Sequence, residues 1–130
     1  DEYQAYHDIQ DPNAFNGLAS YYCYKYGKEW LDGFTNTIYE NYLYFKEEMK
    51  DYCDMPELEG SYLIFLDFSK SIKEANVAEV LEKECNILVN SGVSFSKDYG
   101  SYVRVNLATS LVNIKEAVAR IKAYIDERRA

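Results

Sequence analysis

One arginine stands inside an otherwise apolar stretch, SYVRVNLATS at residues 101–110. Side chains alternate across a β-strand, so Val103, Val105 and Leu107 share one face, while Tyr102, Arg104 and Asn106 share the other. A guanidinium fixed on a stiff ribbon beside an amide is suited to a carboxylate, which it grips through two parallel hydrogen bonds. The residues alone leave a second reading open. Arg104 then lies on a water-facing sheet surface, or is paired with an acid such as Asp67.

Other chemistries find less support. No Gly-rich phosphate loop and no nucleophile elbow is present. The single histidine, His7, sits in a polar stretch and is expected at the surface, so neither a Ser-His-Asp arrangement nor a metal site is expected. Cys23, Cys53 and Cys85 are widely spaced and form no CxxC pair. They are expected to be free, buried thiols of a cytoplasmic protein. Asp67 and Glu59 read as a strand-end acid and a loop acid. Lys70 and Lys73 follow a strand in a polar turn, and nothing near them suggests the desolvated pocket that an imine-forming lysine needs.

The elements that must position Arg104 follow from periodicity. ASYYCYKYG reads as a helix stopped by Gly27. Trp30, Phe34, Ile38, Phe45, Met49 and Tyr52 recur at helical spacing. The loop DMPELEG follows, with Pro56 blocking helix continuation. SYLIFLDFS, residues 61–69, is a continuous apolar run and reads as a strand buried on both faces. A helix through Ala78, Leu81 and Cys85 comes next, with Asn76 and Glu79 as a capping pair. ILVNSG is a short strand, VSFSKDYG a loop hinged at Gly100, and SYVRVNLA the next strand. Asn113 and Glu116 cap a closing helix whose last turn holds Arg128 and Arg129. The expected fold is α+β: a small, mostly antiparallel sheet of three to four strands with helices on one face, preceded by two N-terminal helices.

The chain has 130 residues and a formal net charge of −8, with 48% hydrophobic residues, which suits one domain with a real core. The acidic balance disfavours nucleic acid and anionic membranes. The strands also lack the exposed-aromatic signature of a ferredoxin-like RNA binder. No apolar run reaches the length of a membrane span, and DEYQAYHDIQ does not open like a signal peptide. The chain lacks an initiator Met and reads as a piece of a longer protein.

Several stretches taken together resemble a known family. NAFNGLASYYCYKYGKEWLDG is similar to a helix pair of the fold-type I pyridoxal-phosphate enzymes, and IYENYLYFKEEM to their long interdomain helix with its Asn. PELEGSYLIFLDFS resembles their proline-led small-domain strand, and ILVNSGVSFSKDYGSYVRVNLATS their strand, aromatic loop and arginine strand. NIKEAVARIKAYI resembles the closing helix. The resemblance is nearest to aminotransferase-like C–S β-lyases of the cystathionine β-lyase type. It implies that residues 1–130 are the C-terminal small domain, with the large cofactor-binding domain absent. Arg104 is then the grip on the substrate α-carboxylate, Asn106 its supporting neighbour, and Ser61 and Tyr62 weaker neighbours at the substrate entrance.

Two departures, Ser96 where a Gly is frequent and LATS in place of an ACPRS-like ending, leave lyase and aminotransferase chemistry both open. The resemblance implies pyridoxal 5'-phosphate in the parent enzyme and none bound to this piece, whose catalytic and cofactor-binding residues would all lie upstream. It also implies an amino-acid substrate such as cystathionine or cysteine, which the lyase would convert to thiol, ammonia and pyruvate. The parent is expected to be a homodimer. The piece alone is expected to be inactive and to self-associate. The alternative is a free-standing acidic interaction domain that docks through its Tyr-rich helices.

Overall fold

The computed structural model of the chain describes residues 13–129; His7 lies outside them. The elements run α1 (Ala14–Tyr26), α2 (Lys28–Met49), β1 (Leu63–Asp67), α3 (Val77–Cys85), β2 (Asn90–Ser91), a 3-10 turn (Gly92–Ser94), β3 (Tyr102–Asn106) and α4 (Leu111–Arg129). The sequence implies this α+β order of two helices followed by β-α-β-β-α. The chain divides into two compact units, up to Thr35 and from Asn36 onward.

In the first unit, Asn13 caps α1 by accepting the Asn16 N–H at 2.9 Å. Gly27 ends the helix as expected, donating its N–H to the Cys23 carbonyl at 2.8 Å. A side chain at Gly27 would press its Cβ to 2.4 Å from that same oxygen. No residue of α1 is buried. Its rings pack on one another instead, with Tyr22 and Tyr26 stacked at 5.8 Å and Tyr21 edge-on to Tyr22 at 5.3 Å.

The second unit holds the core. β1 and β3 pair antiparallel with Phe65 opposite Arg104 and Leu66 opposite Val103; β2 pairs with the other edge of β3, Asn90 opposite Arg104. The sheet order is β1-β3-β2. Ile64, Leu66 and Val103 are buried. The helices bring apolar stripes at four-three-four spacing: Ile38, Tyr42, Phe45 and Met49 from α2, and Ile114, Val118, Ile121 and Ile125 from α4. Val77, Leu81 and Cys85 of α3 complete the layer.

Several local expectations are corrected. β1 is not buried on both faces: Ile64 and Leu66 are buried, whereas Leu63, Phe65 and Asp67 are only half-buried. The unbroken apolar run arises because Phe65 packs among Phe95, Tyr99 and Tyr102 on the outer face. The sheet therefore does carry aromatics there, and they cover one another. Only two residues of ILVNSG form a strand. Helix α4 starts at Leu111, two residues before Asn113, whose backbone N–H already reaches the Ser110 carbonyl at 3.0 Å. Asn76 makes no side-chain bond to the backbone of α3; its amide donates to the Glu79 carboxylate at 2.9 Å and accepts from the Ser91 hydroxyl at 3.0 Å. Gly100 is a tight contact, since a Cβ there would lie 2.0 Å from the Ala75 carbonyl oxygen. Two of the three free thiols, Cys53 and Cys85, are buried, and Cys23 is exposed. Among the described residues no helix is long and apolar enough to cross a membrane.

Candidate functional site

Every residue of the site belongs to the unit from Asn36 onward. Arg104 is half-buried in the middle of β3, with its flanking Val103 buried. In an antiparallel pair, directly opposed residues point to the same face. Arg104 therefore shares its outer face with Phe65 of β1 and Asn90 of β2. Its Nη2 donates to the Asn90 Oδ1 at 3.2 Å. Its Cζ lies 5.0 Å from the Phe95 ring centroid, within cation–π range. Its Nε–H is buried and has no acceptor. Phe65 braces this corner, edge-on to Phe95 at 5.6 Å and stacked on Tyr102 at 5.1 Å.

Arg104 is among the residues that line a cleft of about 530 Å³, with Asn90, Asn106 and Asn113 on its polar side and Phe45, Val105 and Ile114 on its apolar side. Among the described residues no carboxylate forms an ion pair with Arg104. The Arg104–Asp67 pair considered from the sequence is not formed. Asp67 stands opposite Tyr102, two pairs along from Phe65 and Arg104. Burial pushes its carboxyl up, but hydrogen bonds from Ser69, Ser101 and Tyr102 outweigh this and hold it below the usual range. That contact in turn pushes the Tyr102 phenol up. An unpaired, partly desolvated guanidinium at the edge of a cleft attracts a carboxylate more strongly than one in bulk water does.

The other residues singled out from the sequence serve the frame. Asn106 Oδ1 accepts from the Ala108 N–H at 2.8 Å, a turn that ends β3; no hydrogen bond joins it to Arg104. Tyr62 is exposed, and its carbonyl accepts from the Leu107 N–H at 2.8 Å. Ser61 holds a left-handed backbone, φ 68°, at the entry to β1.

Asn41 is the site's deepest support. It is 1% exposed, and its Nδ2 donates to the Leu107 carbonyl at 2.9 Å and the Thr109 carbonyl at 2.8 Å. Those bonds tie α2 to the chain leaving β3. An amide within the apolar stripe of α2 was its signal in the sequence. Asn90 and Phe95 left no such signal, because only strand register brings them to Arg104.

Lys70 and Lys73 are bound elsewhere. Lys70 Nζ donates to the Lys50 carbonyl at 2.9 Å and to Asp54 at 2.8 Å, and Lys73 Nζ to the Ser69 carbonyl at 2.6 Å. No lysine lines the Arg104 cleft. Its described lining does not fit an aldehyde cofactor held by an imine.

The fold of the chain matches part of solved pyridoxal-phosphate-bound C–S lyase and aminotransferase structures. No family model matches the chain. In sequence it is similar to cystathionine beta-lyase PatB of Bacillus subtilis (strain 168), 28% identical over 118 residues that span 87% of this chain and 30% of that protein. In structure it is similar to the pyridoxal-phosphate-bound C–S lyase of Staphylococcus hominis, with a TM-score of 0.82 at 20% identity, over 97% of this chain and 34% of that one. It is likewise similar to cystalysin of Treponema denticola, TM-score 0.80 at 25% identity, over 89% and 30%. The chain thus spans about a third of the length of the proteins it matches, and the resemblance seen in its sequence is borne out.

Proposed function

We propose that this chain is the C-terminal, substrate-carboxylate-binding small domain of a larger pyridoxal-phosphate-dependent enzyme that cleaves the C–S bond of an amino acid such as cystathionine or cysteine. The observation that carries the reading is the guanidinium of Arg104 on the outer face of the sheet, held by a neutral amide and a ring with no carboxylate paired to it, on a residue that borders a cleft. Similarity to PatB and to the C–S lyase of Staphylococcus hominis supports the lyase chemistry. Pyridoxal phosphate, held by the remainder of the protein, would serve as the electron sink for loss of the α-proton and the β-thiolate.

This chain's part is to bind and orient. Arg104 takes the α-carboxylate in two charge-assisted hydrogen bonds and so fixes the rotation of the substrate about its Cα. Asn41 and Asn106 hold the two ends of the segment after β3, so the guanidinium moves with a rigid strand. The aromatic corner of Phe65, Phe95 and Tyr102 keeps water from one side of it.

The test is steady-state kinetics of the full-length protein on L-cystathionine, with pyruvate and ammonia as the products followed. Arg104→Ala should lower kcat/KM by a factor equivalent to about 2–4 kcal/mol, the worth of a charge-assisted pair in a desolvated site. Unchanged kcat/KM overturns the proposal. Transfer of the amino group to a keto acid, without pyruvate release, would reassign the protein as an aminotransferase. The 130-residue chain alone is expected neither to retain pyridoxal phosphate nor to release pyruvate.

A second reading has its own observation. In the unit up to Thr35, Ala19, Cys23, Tyr24, Trp30 and Leu31 line an open groove of about 900 Å³, and Tyr24 and Trp30 are 93% and 70% exposed. Apolar surface of this extent favours association, so the isolated chain is expected to self-associate. A single monomeric species by light scattering at high concentration would count against it.

A further inference from the structure

Two residues around Arg104 perform a task that nothing in the α-carboxylate reading itself requires. We propose that Asn90 and Phe95 are positioning residues that hold the guanidinium in a fixed plane while leaving its charge whole for the incoming anion. The inference rests on the proposed role of Arg104.

Three segments converge to make the arrangement. Register places Asn90 opposite Arg104 on the same face. After Ser91 the chain turns sharply: Ser91 Oγ accepts from the Val93 N–H, and Phe95 N–H returns to the Gly92 carbonyl at 2.9 Å. This turn depends on Gly92. A Cβ there would meet the Tyr99 and Tyr102 carbonyl oxygens at 2.2 and 2.6 Å. The close approach brings the Phe95 ring over the guanidinium, and Phe65 fixes that ring from its edge.

The chemistry of the partners decides the function. An amide oxygen accepts a hydrogen bond from the guanidinium without carrying a net charge. A carboxylate in the same place would orient the guanidinium equally well and would also neutralise it. Phe95 adds a cation–π contact that sets the plane and again leaves the charge intact. Nε is buried without an acceptor, so the terminal amino groups are the ones that a carboxylate in the cleft reaches. Asn90 uses one hydrogen of Nη2, so the second Nη2 hydrogen and both hydrogens of Nη1 are left to donate.

The discriminating variant is Asn90→Asp. It keeps size and hydrogen-bond geometry at an exposed position and changes only the charge. Stability and binding should then move in opposite directions. The melting temperature of the 130-residue chain should stay the same or rise, because a new ion pair forms. In the full-length protein, KM for the better of L-cystathionine and L-cysteine should rise on the order of tenfold or more with kcat little changed, the pattern of lost uniform binding. Phe95→Leu should raise KM by roughly threefold or more in the same pattern. As a readout independent of turnover, nitrogen-15 spectra of the chain should show hindered rotation of the Arg104 guanidinium, and Asn90→Ala should release it.

Arg104→Lys separates this inference from the reading beneath it. If Arg104→Lys raises KM while Asn90→Asp and Phe95→Leu leave it unchanged, the positioning role is overturned and the carboxylate role stands. If Arg104→Lys also leaves KM unchanged, the carboxylate role itself fails.

Discussion

Helices α1 and α4 make an instructive pair. α1 carries Phe15, Leu18, Tyr21, Tyr22, Tyr24 and Tyr26 in thirteen residues and buries none of them. α4 carries fewer aromatics in nineteen residues and buries Ile114, Val118, Ile121, Tyr124 and Ile125. The difference lies in cover. The buried residues of α4 include a stripe at four-three-four spacing that packs into the core. Phe15, Leu18, Tyr22 and Tyr26 of α1 also recur at helical spacing, three-four-four, yet none of them is buried among the described residues. α2 repeats the contrast within one helix: Trp30 is 70% exposed, whereas Phe45 is 2% exposed. Aromatic content thus says little about burial until a stripe and a covering surface coincide.

The most forceful way to break the comparison is to truncate a ring on each side of it. Phe45→Ala should lower the free energy of unfolding by about 3–5 kcal/mol, the usual cost of a large core cavity. Trp30→Ala should change it by no more than about 0.5 kcal/mol. Urea titrations of both variants check this, and equal losses would end the distinction. Asn41→Ala comes next in size. It strands the Leu107 and Thr109 carbonyls and should cost about 1–3 kcal/mol, and it should loosen the strand end beside Arg104.

Thiol chemistry sharpens the same contrast. Cys23 should react with a maleimide in the native state, and Cys53 and Cys85 only on unfolding, as mass spectrometry of timed samples would show. Burial pushes the Cys53 thiol from an ordinary 9.0 up to about 12. The fold therefore favours the neutral thiol. Its contribution is complete below pH 9 and is lost as pH rises from 9 towards 12. The alkaline loss of stability should be shallower in Cys53→Ala than in the native chain. Ser61→Gly should raise stability by about 0.5–1 kcal/mol, because it relieves a left-handed backbone at a side chain that tolerates it poorly.

Much of the site was legible from local pattern, and its limits have physical causes. The two faces of β3 follow from alternation, so Arg104 was correctly placed opposite the side of Val103. The start of α4 was placed too late because Asn113 carries a capping residue type while its backbone is already helical. The outer face of β1 was misread because Phe65, which packs against Phe95 and Tyr99, looks in sequence like any other buried strand residue. Asn41 is visible in sequence as an amide within its helix, yet its two backbone partners lie 66 and 68 residues away.

The residues by themselves determined the order of the elements, the antiparallel α+β class and the presence of a guanidinium on a strand, since propensity, alternation and helical spacing are properties of neighbours in the chain. Only the tertiary structure decided what surrounds that guanidinium. Asn90, Phe65 and Phe95 meet it through strand register and one glycine turn, and register is fixed by packing between segments far apart in sequence.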